Sequence, residues 1–389
     1  MTTASSKLRG YTILPKYSLA SLFFTHHIFS AQRTAPHDYD PYATIATMDP
    51  ANDLRNVYGP SAEFAAIKSA LQSHPPPRSP APDDPSDPDA AALCALDCLV
   101  AVIRRIYSFH IPVFSKLDET TTTFETWNPL LRYAWQAFTP DKEHTDAERE
   151  RMKKALLERL RLGNGSQKLS TFEELVDCNL MANTMWSRSY LLLYCDPTVQ
   201  TNNSLCTYEW DSSEATQRSL LRFDRRQIPE LSFQQFIDKS FGLLPFREAN
   251  ALFIPTPPTI VRLLYTTTQD KEPLSFESLR SFSMPVGDWV PMYDPATGKK
   301  IANRFDGAVT RRRYILLAVV TLADEKNLRR EDRVRTYALT GQQLIPDPAV
   351  PVFQGLWSLE EKGPRRYMMF YGDVDSMDPH GDHPEMELP

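Results

Sequence analysis

Residues 89–109 read DAAALCALDCLVAVIRRIYSF, and the fold is decided by this stretch more than by any other. Apolar side chains fall on nearly every turn, and Asp89 is suited to cap the free backbone N–H groups of a helix start. The pattern predicts a largely buried helix from about Ala90 to Tyr107. A buried helix needs neighbouring layers to bury it, and the sequence offers candidates on both sides.

Upstream, residues 74–89 read HPPPRSPAPDDPSDPD, with seven prolines and four aspartates. Such a segment neither packs nor runs as a helix, so an extended linker is expected. Before it, residues 49–73 hold a short helical candidate with Phe64, Ile67 and Leu71 on one face. The first 37 residues carry Lys7, Arg9, Lys16 and Arg33 and no acid. That is the composition of a mitochondrial transit peptide; the alternatives are an unstructured extension or residues upstream of a start at Met48. The expected organisation is a disordered or targeting-like extension over 1–47, a short helix and linker over 48–88, a globular domain over 89–374 and a disordered tail over 375–389. Apart from mitochondrial import, a cytoplasmic or nuclear location is expected.

Downstream, a second helix is expected at about Trp127–Phe138. A third, with interleaved acids and bases like a solvated face, runs from about Thr145 to Leu162 and stops at Gly163–Gly165. Ser170/Thr171-Phe-Glu-Glu opens a fourth with a capping box. From Ser187 onward, strand-like runs take over: TYEW at Thr207, LSFQQF at Leu231, TIVRLLYT at Thr259, RYILLAVVTL at Arg313, RVRTYAL at Arg333 and RYMMFYGDV at Arg366. They are rich in β-branched and aromatic residues and bounded by Pro, Gly and Asp. Helices first and strands second is an α+β order, with N-terminal helices packed on a mostly antiparallel C-terminal sheet. The runs 259–266, 314–322 and 367–371 are almost continuously apolar, as strands buried on both faces are.

Composition narrows the function classes. With 42% apolar and 11% aromatic residues the chain as a whole is not disordered. A net charge of −6 argues against a nucleic-acid protein working through a general basic field. The clusters Arg311–Arg313 and Arg329–Arg335, the latter interrupted by Glu331 and Asp332, read as solvated faces. The five cysteines are an odd number with no Cys-x-x-Cys pair, so reduced thiols and no structural zinc site are expected. The early apolar run Ser18–Ala31 is too short to span a membrane, and no membrane partner is expected. Glycine loops for nucleotides and the common metalloprotease and serine-hydrolase motifs are missing, so no cofactor is expected.

One place could carry chemistry: Cys94-Ala-Leu-Asp97-Cys98-Leu-Val. A nucleophilic cysteine at the start of a buried helix gains thiolate character from the helix dipole. The plainer alternative is a small apolar residue on a buried face. The segment resembles the cysteine box of ubiquitin-specific proteases, with Cys94, Leu96, Asp97 and Leu99-Val100 matching. Ala95 stands where an aromatic is expected, and Asp89-Ala-Ala-Ala replaces the glycine-asparagine run. Ser232-Phe-Gln-Gln-Phe-Ile-Asp-Lys-Ser-Phe is similar to that family's short helix ahead of its core strands. Pro257-Pro-Thr-Ile-Val-Arg-Leu-Leu-Tyr265, Tyr314–Val320, Trp357 and Tyr367–Tyr371 resemble its strands, in the right order.

The resemblance implies a papain-like ubiquitin-hydrolase architecture with a degenerate active site. The family's catalytic histidine should follow Val320, yet no histidine lies between His144 and His380. Thr336 takes its place, and the third catalytic position falls at Glu361. A thiol without its base loses orders of magnitude in rate. The resemblance therefore implies a non-catalytic, protein-binding scaffold or adaptor. Its expected partner is a protein such as ubiquitin or a ubiquitin-like protein, with no nucleic acid and no membrane. Arg333 and Arg335 are the expected contact residues, because guanidinium groups pair well with carboxylates. Two alternatives stay open: an active cysteine-type deubiquitinase using Cys94 with an unidentified base, and an unrelated α+β interaction protein.

Overall fold

The computed structural model describes residues 48–58, 64–73, 88–138, 146–165, 169–193, 198–201, 204–207, 212–246, 249–268, 274–298, 300–323, 332–344 and 365–376. All of them fall in the larger of two compact units, Pro41–Pro389. The expected linker up to residue 87, the transit-like extension, the tail from residue 377 and Glu361 lie outside the described residues, while Asp375 and Ser376 are described.

The 89–109 stretch forms one helix, α2 (Pro88–Phe109), and is apolar because it is covered on several sides. Ala92, Ala95, Leu96, Leu99, Val100, Val102, Ile103 and Ile106 are all buried. Helix α1 (Phe64–Ser73) docks on α2 through Ile67 and Leu71. That seat is reinforced by Arg104, whose guanidinium donates to the Ala70 carbonyl at 2.9 Å.

The expected second helix is realised only as the short α4 (Pro129–Tyr133), and a separate helix that was not expected, α3 (Glu119–Trp127), precedes it. Asn128 precedes a proline, which drives its backbone out of the helical region, to φ −121 and ψ 84. After Tyr133 the chain turns, and Arg104 donates to the Ala134 and Gln136 carbonyls at 2.7 and 2.8 Å. Helix α5 (Asp146–Gly163) is charged as expected, but it is not a wholly solvated element. Leu156, Leu157 and Leu160 are buried, and Lys153, only 2% exposed, pairs with Asp97 of α2 at 2.6 Å. The predicted capping box opens α6 (Phe172–Val176), with the Thr171 hydroxyl and the Glu174 carboxylate each accepting from the other's backbone N–H.

The strands are β1 (Thr198–Thr201), β2 (Ser204–Thr207), β3 (Leu220–Asp224), β4 (Gly242–Phe246), β5 (Ala249–Phe253), β6 (Ile260–Thr266), β7 (Ser281–Tyr293), β8 (Lys300–Thr321), β9 (Arg333–Thr336) and β10 (Arg366–Asp373). They form an antiparallel sheet of order β2-β1-β5-β4 and a six-stranded sheet of order β3-β6-β10-β8-β7, with β9 also on β8. Only β3–β6 is parallel in the larger sheet. The three runs expected to share a sheet do so: Met368 of β10 stands between Leu264 of β6 and Val320 of β8.

Alternation along these strands feeds two cores. Leu264, Val320, Met368 and Phe370 face the α2 side. Val261, Leu263, Tyr265, Met369 and Tyr371 face the opposite side, under α7 (Phe233–Lys239) and α8 (Phe276–Arg280). This double burial explains the unbroken apolar runs. At Gly372 a Cβ would meet the Phe109 ring at 2.5 Å, so glycine is what lets β10 approach the end of α2.

The LSFQQF run forms α7, which corrects the strand reading and agrees with the short helix that the resemblance implied. A Ser232/Gln235 capping box starts the helix, and Phe233, Phe236 and Ile237 bury one face at helical spacing. Of TYEW, only Thr207 lies in a described strand. The mixed α+β fold is thus a six-stranded sheet between a helical layer led by α2 and a thinner one of α7 and α8. Strands β7 and β8 continue as a pair as far as Tyr293↔Lys300, well beyond the stretch of β8 that pairs with β10. Val290, Met292, Tyr293 and Val309 are exposed on this extension.

Candidate functional site

Cys94 is the seventh residue of α2, not a residue of its first turn. Only the first four N–H groups of a helix are free, so Cys94 lies past the polarised end that would favour a thiolate. Its half-buried thiol instead donates to the backbone carbonyl of Asp332 at 3.5 Å. Cys98, one turn on and buried, donates to the same carbonyl at 3.4 Å. A thiol held by an acceptor that cannot take its proton is a packing group with a weak hydrogen bond.

Asp332 organises this corner. The side chain is 5% exposed, and its two oxygens accept from the Phe172 N–H at the start of α6 and from the Ala323 N–H after β8, both at 2.8 Å. Burial raises its carboxyl above the usual carboxylate range, and the two backbone donors offset part of that. The Cys98 thiol is pushed well above its ordinary value, first by its hydrogen bond with Cys94, then by burial, then by the neighbouring Asp332 and Asp97 charges. The corner therefore keeps that thiol protonated.

From Asp332 the chain runs along α2 as β9. Two turns beyond Cys98, Arg105 donates through Nε to the Tyr337 carbonyl at 2.9 Å. Thr336 is buried and paired with Ala318 of β8. It lines a shallow notch with Leu71, Gln72, Ala101, Arg104, Arg105 and Leu344. Ala101 is seven residues past Cys94, about 10 Å of helix rise, so the residue at Cys94 is Asp332, while Thr336 sits further along the helix.

Among the described residues His110 is the one imidazole, and it follows the last residue of α2. Sixteen residues of helix separate it from Cys94, about 24 Å. Arg333 is exposed and Arg335 half-buried on β9, opposite Thr321 and Val319 of β8. Strand alternation puts both on the face away from α2, the reverse of Thr336. In the other basic cluster, Arg311 pairs with Asp238 at 2.6 Å and Arg312 with Asp373 at 3.0 Å.

Two partners at this site were not visible in the sequence. Asp332 lies 238 residues from Cys94 and reads only as an acid interrupting a basic cluster. Lys153 reads as one more charge on a solvated helix. Neither carries a local pattern that marks it as buried.

No family model matches the chain, and no curated protein matches it. Among solved structures it is similar to the apo Pan2 pseudoubiquitin hydrolase–RNA exonuclease module of Saccharomyces cerevisiae, at 11% identity over 80% of this chain and 50% of that one, with a TM-score of 0.24. A second structure of the Saccharomyces cerevisiae PAN2 pseudoubiquitin-hydrolase–RNase module is similar at 12% identity over 84% and 51%, with a TM-score of 0.25. A third, the module in complex with AAUUAA RNA, is similar at 10% identity over 80% and 51%, with a TM-score of 0.23. The chain spans about half the length of the solved modules it matches. The partner set read from the sequence, a protein such as ubiquitin with nucleic acid excluded, is corrected by the last of these. That module is solved with RNA bound.

Proposed function

We propose that this chain is a catalytically silent, ubiquitin-hydrolase-like module that acts as a scaffold or adaptor. The observation that carries the reading is the seat of Cys94. Its thiol rests on the Asp332 carbonyl, seven residues into α2, and the one described imidazole is a helix length away. Nucleophile and base must stand within hydrogen-bond reach for the thiol to attack. Asp332 offers a carbonyl where a base is needed, and its carboxylate is turned to two backbone N–H groups. The buried Thr336, at the place of the lost histidine, has a hydroxyl that is no base near neutral pH. Glu361 is the position of the third group in this reading.

Arg333 and Arg335 are the contact residues in this proposal. They face away from the thiol corner, so charge reversal there should change binding without touching α2. The test is turnover of carboxyl-terminal fluorogenic ubiquitin substrates by the wild-type chain and by Cys94→Ser. The expected result is no turnover by either. Turnover by the wild type that vanishes in Cys94→Ser would overturn the reading in favour of an active cysteine hydrolase.

A further inference from the structure

Cys94 and Cys98 lie one turn apart on α2, so their side chains share a face. Both thiols point at one acceptor, the Asp332 carbonyl, at 3.5 and 3.4 Å. Neither is in a disulfide, and helix geometry resists one. Cβ atoms at i,i+4 stand about 5–6 Å apart, whereas a disulfide needs about 3.8 Å. Two soft donors and an oxygen thus converge at one point. Two sulfur donors on one helix face beside a carbonyl oxygen suit a soft cation, taken up in exchange for the two thiol protons. Cys94 is half-buried and offers the way in, while Cys98 is buried behind it.

We propose that Cys94 and Cys98, with the Asp332 carbonyl beside them, form a chelating site for a soft, low-coordinate cation of the monovalent copper class. Binding replaces two S–H bonds with two metal–sulfur bonds and releases two protons to solvent, with no change of oxidation state. Zinc fits this donor set poorly, because structural zinc takes four ligands. Among the described residues, no group of three or more His, Cys, Asp and Glu side chains comes together to hold a metal. Thiolate donors instead select monovalent copper. Occupancy would fasten the start of β9 to α2, since the carbonyl at the site immediately precedes that strand. The site is independent of the scaffold reading, because chelation needs no base.

The experiment titrates the reduced, full-length chain with monovalent copper under anaerobic conditions, against a chromophoric copper chelator. It compares the wild type with Cys94→Ser, Cys98→Ser, Cys178→Ser and the double variant Cys195→Ser/Cys206→Ser. A single tight equivalent is expected in the wild type, Cys178→Ser and the double variant. Either Cys94→Ser or Cys98→Ser should weaken it by more than the roughly 10–100-fold cost of losing an outer-shell partner. Should Cys98→Ser fail to fold, the wild type decides alone: prebound monovalent copper should protect Cys94 from maleimide, and zinc should not. Copper uptake unchanged in Cys94→Ser, uptake lost in the Cys195/Cys206 double variant, or no protection of Cys94 would each overturn the site.

Discussion

At the scale of single residues, Asp332 decides what the thiol corner can do. Its carbonyl occupies the two thiols and its carboxylate ties the end of β8 to the start of α6. Because burial raises its folded pKa above the unfolded value, the folded chain binds more protons than the unfolded one between those two values. Its contribution to stability is therefore fully present below the ordinary carboxylate range and is lost as pH rises through the raised value. Asp373, also raised by burial, acts in the same direction, so the difference between wild type and Asp332→Asn isolates Asp332. Between acid and neutral pH, the stability advantage of the wild type over Asp332→Asn in urea should shrink as pH rises. The variant should also lose about 1–3 kcal/mol at low pH, since one backbone donor is left without its acceptor. Parallel profiles would contradict this assignment.

At the scale of elements, α1 belongs to the folded body. Ile67 and Leu71 lie under α2, and the helix supplies a carbonyl to the buried Arg104. Burial pulls the Arg104 pKa down to about 9, which leaves the group charged at neutral pH, so its carbonyl partners matter. Leu71→Ala should cost about 2–5 kcal/mol in thermal or urea unfolding. Phe64→Ala, at an exposed position of the same helix, should stay within about 0.5 kcal/mol. Equal effects would mean that α1 is not seated as described.

Elements also show how far the sequence could be read. Helix α2, the α6 capping box and the β6, β8 and β10 runs were legible because each has a local cause, whether apolar periodicity, a cap or continuous burial. LSFQQF misled because three aromatic and aliphatic residues suit a strand, while the Ser232/Gln235 cap that makes it α7 is equally local and outweighs them. The break at Asn128-Pro129 was legible in principle from the proline alone. Lys153 and Asp332 were not legible at all, because a charge becomes buried only through a partner distant in sequence.

At the scale of the whole molecule, the sheet is covered on both faces, yet the outer part of the β7–β8 pair carries exposed Val290, Met292, Tyr293 and Val309. These side chains contribute little to the cores. Val290→Ser combined with Met292→Ser should leave the unfolding free energy within about 0.5 kcal/mol per site, measured by urea denaturation. A larger loss would place them in a packed layer.

The proposed silence of Cys94 is also a whole-molecule matter, since a triad needs groups from distant elements brought to one point. Here α2 brings Cys94 to a backbone carbonyl and carries His110 to its opposite end. The most direct measurement is intact-mass analysis of the full chain after exposure to a ubiquitin probe bearing a carboxyl-terminal electrophile. The expected result is no covalent adduct in either wild type or Cys94→Ser. An adduct on Cys94 that forms readily in the wild type and disappears in Cys94→Ser would contradict the claim that this cysteine is silent.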